Sequence, residues 1–156
     1  MRLTSWAASA GRWMAVAIAF LLLSSTAGSA QARQSSLVGT WRFVEITDFD
    51  STGAPIQYYG DKPCGFIIYT ATGQVSVHIA RCPTPDLSPP ELAATYNGYF
   101  GTYTVNEARG LVTHQVEGGS APDYIGTPQQ RPFKITGDTL VLGDGQSYKR
   151  VLVRVR

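Results

Sequence analysis

The stretch from Tyr99 to Phe133 holds most of the side chains in this chain that are equipped to bind or to react. It contains His114, Arg131 and the tyrosines Tyr99, Tyr103 and Tyr124, set among valines and glycines. Successive side chains on a strand point to opposite faces. Tyr99, Tyr103 and Val105 therefore share a face, as do Val112, His114 and Val116, and as do Arg131, Phe133 and Ile135. Each set mixes apolar residues with a polar one, so the inward face reads as an apolar wall carrying a basic and aromatic cluster. Tyr69, from an earlier apolar segment, fits the same wall. A guanidinium stays charged and is costly to bury without a partner. Arg131 thus calls for a protein carboxylate or for an anionic ligand such as a carboxylate or phenolate. Glu117, three residues after His114, is the candidate partner, but it falls on the face opposite His114 unless the strand is bulged at Gly118-Gly119. Turned inward, it would close an Arg-Glu-His network; turned outward, it would leave Arg131 for a ligand.

The reading that follows is a binding cavity for a small hydrophobic or amphipathic molecule. Its apolar part would rest on Val105, Val112, Val116, Phe133 and Ile135. Its polar end would lie near Arg131, His114 and Tyr103, with Tyr69 and Tyr99 completing the lining. Two alternatives use the same residues. In one, an isomerase or cyclase, His114 moves a proton near neutral pH while Arg131 and Tyr103 hold an enolate or phenolate. In the other the barrel is filled and its outer surface binds a partner protein. His78, the second histidine, lies beside Ser76 on the face opposite Val75, Val77 and Ile79. No spacing joins the two histidines to acids or cysteines as a metal set, and no residue pattern calls for a cofactor. Nucleophile-elbow, phosphate-loop and dinucleotide signatures are missing, as are paired carboxylates for glycoside chemistry.

The elements that must position these residues are strands. Strand signals fall near 38–47, 64–70, 74–81, 99–106, 110–117, 129–136, 139–142 and 147–155, with turn residues between them. Ala71-Thr72-Gly73, Glu107-Ala108-Arg109 and Gly137-Asp138 are hairpin-sized links, so sequence neighbours become sheet neighbours. The expected fold is all-β, an eight-stranded antiparallel up-and-down barrel, because closure removes exposed edges. Ser88-Pro89-Pro90-Glu91 marks the start of one short helix, which should end near Asn97-Gly98. The segment 48–63, rich in Gly and Pro, reads as a flap over one opening.

Residues 1–32 read as a secretory signal peptide: Arg2 and Arg12, the apolar run Trp13–Leu23, then Ser29-Ala30-Gln31-Ala32. A run of about a dozen residues is short of the roughly 20 needed to span a bilayer, so no stable membrane anchor is expected after cleavage. The mature domain is then 33–156, exported to the periplasm or secreted. It carries eleven basic and eleven acidic residues, a balance without the basic stripe that nucleic-acid binding requires. Cys64 and Cys82 are the only cysteines. With Thr70 opposite Gln74, Cys64 faces Ala80 and Cys82 lies one diagonal step further on the same face, close enough for a disulfide once the strand end frays. Two buried thiols are the alternative. The oligomeric state is left open.

Leu37-Val38-Gly39-Thr40-Trp41 opens the mature chain with a Gly-x-Trp resembling the lipocalin signature. Gly65-Phe66-Ile67-Ile68-Tyr69-Thr70, Gly98-Tyr99-Phe100-Gly101-Thr102-Tyr103, His114-Gln115-Val116-Glu117-Gly118 and Gln130-Arg131-Pro132-Phe133 follow in an order similar to the small bacterial and fungal lipocalin-like domain family. The resemblance covers nearly all of 37–154. It implies a calycin-type barrel with a small-molecule cavity and no particular reaction. It also implies that Trp41 packs at the closed end under an arginine of the last strand. Arg154 or Arg150 would take that place; both lie on one strand face, and the sequence does not choose between them.

Overall fold

The computed structural model describes residues 36–82 and 87–156. The signal-peptide reading, and with it the mature start at Arg33, lies outside the described residues. Nine strands form the sheet: β1 (Gly39–Phe49), β2 (Pro55–Ile56), β3 (Pro63–Tyr69), β4 (Gln74–Arg81), β5 (Tyr96–Asn106), β6 (Leu111–Gly119), β7 (Pro128–Thr136), β8 (Thr139–Leu142) and β9 (Tyr148–Arg154). β1 and β3–β9 run antiparallel in chain order, and β9 pairs back onto β1, so eight strands close an up-and-down barrel. β2 is a two-residue appendage, Asp48 opposite Ile56 and Phe49 opposite Pro55. It folds the first part of the 48–63 segment back on β1, around an Asp50 carboxylate that accepts hydrogen bonds from Thr52 and Ala54.

The turns set the register. Gly73 adopts φ 89°, which a residue with a Cβ rarely does. Its turn brings the Thr70 N–H to the Gln74 carbonyl at 2.9 Å. Counting back from that pair puts Cys64 opposite Ala80, and Cys64 is joined to Cys82 across Cα atoms 5.6 Å apart. The turn chemistry therefore determines where the covalent link falls.

Two bulges change which side chains face inward, and neither is visible from alternation. On β1 the register slips between Phe43 and Glu45, leaving exposed Val44 as the extra residue. Trp41 and Phe43 point in; past the slip Ile46 and Asp48 do. On β6 Gly118 pairs with Phe100 and Val116 pairs with Gly101, so Glu117 is the extra residue. This bulge stands one position before Gly118-Gly119, and it leaves Glu117 exposed outside the barrel.

A helix, α1 (Pro89–Ala94), lies against the start of β5, with Ser88 and Glu91 forming its capping box. It stops earlier than the expected Asn97-Gly98. Thr95 closes the last turn by donating its hydroxyl to the Leu92 carbonyl at 2.8 Å. Tyr96 then begins β5, and Gly98 sits within the sheet opposite His78.

At one end the barrel is packed shut. Trp41 is fully buried, and its indole N–H donates to the Leu37 carbonyl at 2.7 Å. The Arg154 guanidinium stacks 4.0 Å from the indole centroid and donates to the Val38 and Ser36 carbonyls at 2.8 and 2.6 Å. A Cβ on Gly39 would come within 2.7 Å of that guanidinium. The glycine of Gly39-Thr40-Trp41 is therefore the space that admits the arginine. Arg150 sits toward the other end, paired with Asp48 at 2.6 Å.

Candidate functional site

Toward the end away from Trp41 the barrel holds a partly open cavity of about 140 Å³. Its apolar lining is Phe43, Ile67, Val77, Ile79 and Leu142. Its polar lining comes from β1, β5, β6, β7 and β9 and from the loops that close this end: His114, Tyr99, Arg131, Tyr148, Tyr124, Tyr59, Asn97 and the Asp48–Arg150 pair.

His114 sits at the bottom, fully buried. Nε2 is 2.9 Å from the Tyr69 hydroxyl and Nδ1 is 2.7 Å from the Tyr99 hydroxyl. Burial, and secondarily the charge of Arg131, push its pKa down to about 3, so the ring is neutral at ordinary pH. Burial raises Tyr99 to about 12 against the opposing pull of Arg131, so its hydroxyl keeps its proton. Tyr69, fully withdrawn from water, is raised as well, again by burial first.

Arg131 is half-buried between aromatic faces, 5.3 Å from the Tyr148 ring centroid and 5.9 Å from that of Tyr124. Its hydrogen bond to the Gln129 side chain is long, 3.4 Å, and the Tyr99 and Tyr148 hydroxyls also lie close enough to accept from it. The ion pairs among the described residues are Lys149–Glu45, Arg150–Asp48 and Arg156–Asp138, and none includes Arg131. Close by, the Tyr148 hydroxyl is buried beside Arg131, and its own hydrogen meets no acceptor among the described residues. The cation thus faces neutral phenols and an amide but no carboxylate. With Glu117 outside, the Arg-Glu-His network does not form.

Of the side chains singled out from the sequence, Tyr99, His114 and Arg131 meet at the cavity. Tyr69 and Tyr103 lie behind it: their rings pack edge to face at 4.9 Å, and the Tyr103 hydroxyl donates to the Thr70 carbonyl. Phe133 packs against the core without lining the cavity, and so do Val105 and Ile135, while Val112 and Val116 are part of the core itself. The apolar wall expected from these five is a correction. Each step of two residues along a strand moves a side chain about 7 Å down the barrel, which carries Phe133 and Ile135 from the level of Arg131 toward the closed end. The apolar lining comes instead from β1, β3, β4 and β8.

Sequence reasoning passed over Tyr148, Tyr59, Asn97, Gln129 and Asp48. Tyr148 was open to inference, since it precedes Arg150, Leu152 and Arg154 at period two. Gln129 likewise precedes Arg131. Asp48 depends on the Val44 bulge, and Tyr59 on how a loop folds back over the mouth. On the outer wall His78 is exposed and hydrogen-bonds with Ser76 at 2.8 Å and Tyr96 at 2.7 Å.

No curated protein matches the chain. The family model for the lipocalin-like domain does match, over residues 38–152, which span the first strand to the last and include both Trp41 and every strand that lines the cavity. By that match and by its closed eight-stranded barrel, the chain belongs to the lipocalin-like domain family.

Proposed function

We propose that this protein is an exported carrier or sensor of a small amphipathic molecule, held in the barrel cavity with its polar end on Arg131. One observation carries the reading: Arg131 sits at the wall of a partly open cavity with no carboxylate of the described residues in ion-pairing reach. A charge left in that state lowers stability unless something in the cavity answers it. The signal-like residues 1–32 and the Cys64–Cys82 disulfide support export, since disulfides persist outside the reducing cytosol. Acid–base catalysis by His114 draws less support, because both ring nitrogens are engaged by tyrosines and the ring resists protonation.

Native mass spectrometry of the protein purified from its own cell envelope tests the reading. A chain beginning at Arg33 with a small molecule retained, and lost in Arg131→Leu, is the expected result. An intact Met1 overturns the export claim. An empty cavity that also stays empty when challenged with cell extract overturns the binding claim.

A further inference from the structure

Tyr69 allows the proton positions in the cavity to be worked out. Its hydroxyl is buried and, among the described residues, its only hydrogen-bond partner is His114 Nε2. Were Nε2 to carry the proton, the Tyr69 hydrogen would be left in the core with no acceptor, a state native structures avoid. Tyr69 therefore donates to Nε2. A neutral imidazole has one N–H, which must then be on Nδ1, donating to the Tyr99 oxygen at 2.7 Å. Tyr99 accepts from His114, so its own hydrogen is free to turn into the cavity that its side chain lines.

The remaining polar lining adds further donors. Arg131 offers N–H groups and a full charge, and Tyr148 offers a buried hydroxyl whose own hydrogen meets no acceptor among the described residues. The cavity's one carboxylate, Asp48, is taken by Arg150, which leaves a single uncompensated positive charge. The space is about 140 Å³, close to the roughly 150 Å³ engineered cavity that holds a benzene ring in another protein.

We infer that the ligand is a compact monocarboxylate about one ring in size, and that His114, oriented by Tyr69, sets this preference by presenting the Tyr99 hydroxyl as a donor. A carboxylate brings only acceptors. It takes hydrogen bonds from Arg131, Tyr99 and Tyr148 together. A phenol or alcohol of the same shape brings a proton of its own into a site already supplied with donors, and it lacks the charge that Arg131 calls for. His114 is a positioning residue here, since it acts through Tyr99. The inference rests on the binding function proposed above.

Two measurements on the folded protein test it. Long-range ¹H–¹⁵N spectra of the ¹⁵N-histidine-labelled chain should show His114 with Nδ1 protonated and Nε2 bare; the opposite tautomer would overturn the relay whatever binds. Calorimetric titration with benzoate, phenol, benzyl alcohol and cyclohexanecarboxylate at neutral pH should then give both carboxylates at least tenfold tighter binding than the two neutral probes. Tyr99→Phe should erase most of that margin, and Tyr148→Phe part of it. Equal affinity for benzoate and benzyl alcohol, or a margin unmoved in both variants, refutes the carboxylate assignment and leaves small-molecule binding standing. If none of the four probes binds while a larger or neutral molecule co-purifies in the cavity, the ligand class is wrong and the proposed function survives. If nothing occupies the cavity in either experiment, both fail together.

Discussion

Replacing Arg131 by leucine discriminates sharply between a cavity awaiting a ligand and a core that is already complete. The ring contacts of Arg131, at 5.3 and 5.9 Å, lie near the outer limit of cation–π attraction and contribute about 0.5–1 kcal/mol each. The 3.4 Å bond to Gln129 is too long to add more than about 0.5 kcal/mol. The substitution therefore forfeits about 1.5–2.5 kcal/mol. In return it removes a partly desolvated charge, whose penalty reaches several kcal/mol when burial is complete. It also adds a half-buried leucine worth about 1 kcal/mol. The terms nearly cancel, so Arg131→Leu should stay within about 1 kcal/mol of the parent, a shift of no more than about 3–6 °C in Tm for a domain of this size.

Urea unfolding followed by tryptophan emission reads this directly, because Trp41 is the sole tryptophan after residue 32 and lies in the core at the other end of the barrel. An Arg131–Glu117 pair would give a different outcome. Stranding a buried carboxylate would cost about 3–5 kcal/mol, and Glu117→Gln would be strongly coupled to it. With Glu117 outside the barrel, the two substitutions should add to within about 0.5 kcal/mol. A loss above 3 kcal/mol in Arg131→Leu, rescued by Glu117→Gln, would refute the reasoning from the exposed carboxylate through to the unpaired cation.

Three further outcomes are expected. Denatured, unreduced protein should show no titratable thiol; Cys64→Ser with Cys82→Ser should lower stability by up to about 3 kcal/mol, less to the extent that the β3–β4 hairpin persists in the unfolded chain. Stability should fall by about 1.4 kcal/mol per pH unit between about pH 6.5 and 3, because in that window an unfolded His114 takes up a proton that the buried, depressed one refuses. That component should vanish in His114→Gln, and an unchanged acid slope in the variant would remove His114 as its source. Arg154→Ala should cost about 2–4 kcal/mol and leave ligand affinity unchanged, and Arg154→Lys should recover little, since an ammonium cannot both stack on Trp41 and bridge two carbonyls.

Period two and turn residues made the barrel legible. Each of the eight barrel strands stands where alternation put it, and the Gly73 turn alone predicted Cys64 opposite Ala80. The site was harder to read for a geometric reason. Alternation states which face a side chain takes, not how far along the barrel it lies, so Arg131 and Ile135 looked equivalent although only Arg131 reaches the cavity. Parity also holds only up to the next bulge. The slip at Val44 turns Asp48 inward, and the one at Glu117 keeps that carboxylate out. Tyr124, singled out among the tyrosines, does line the cavity, whereas the loop residue Tyr59 reaches it through closure of the chain over a long separation, which no local pattern records.

The three arginines that line this barrel make the case for Arg131 by comparison. Arg154 and Arg150 share the inward face of β9, and the protein satisfies both: one by an indole and two backbone carbonyls, the other by Asp48 and the Thr47 carbonyl. Each is placed beside acceptors that the chain itself brings in, through the cleared space at Gly39 and the bulge at Val44. Arg131 receives no such provision. Its neighbours are phenol rings, two neutral hydroxyls and a distant amide, and Glu117 is turned to solvent. The fold supplies anionic or carbonyl acceptors to two inward guanidiniums and leaves the third facing a partly open cavity without a carboxylate. On the binding function proposed above, the acceptor that completes Arg131 comes from the ligand.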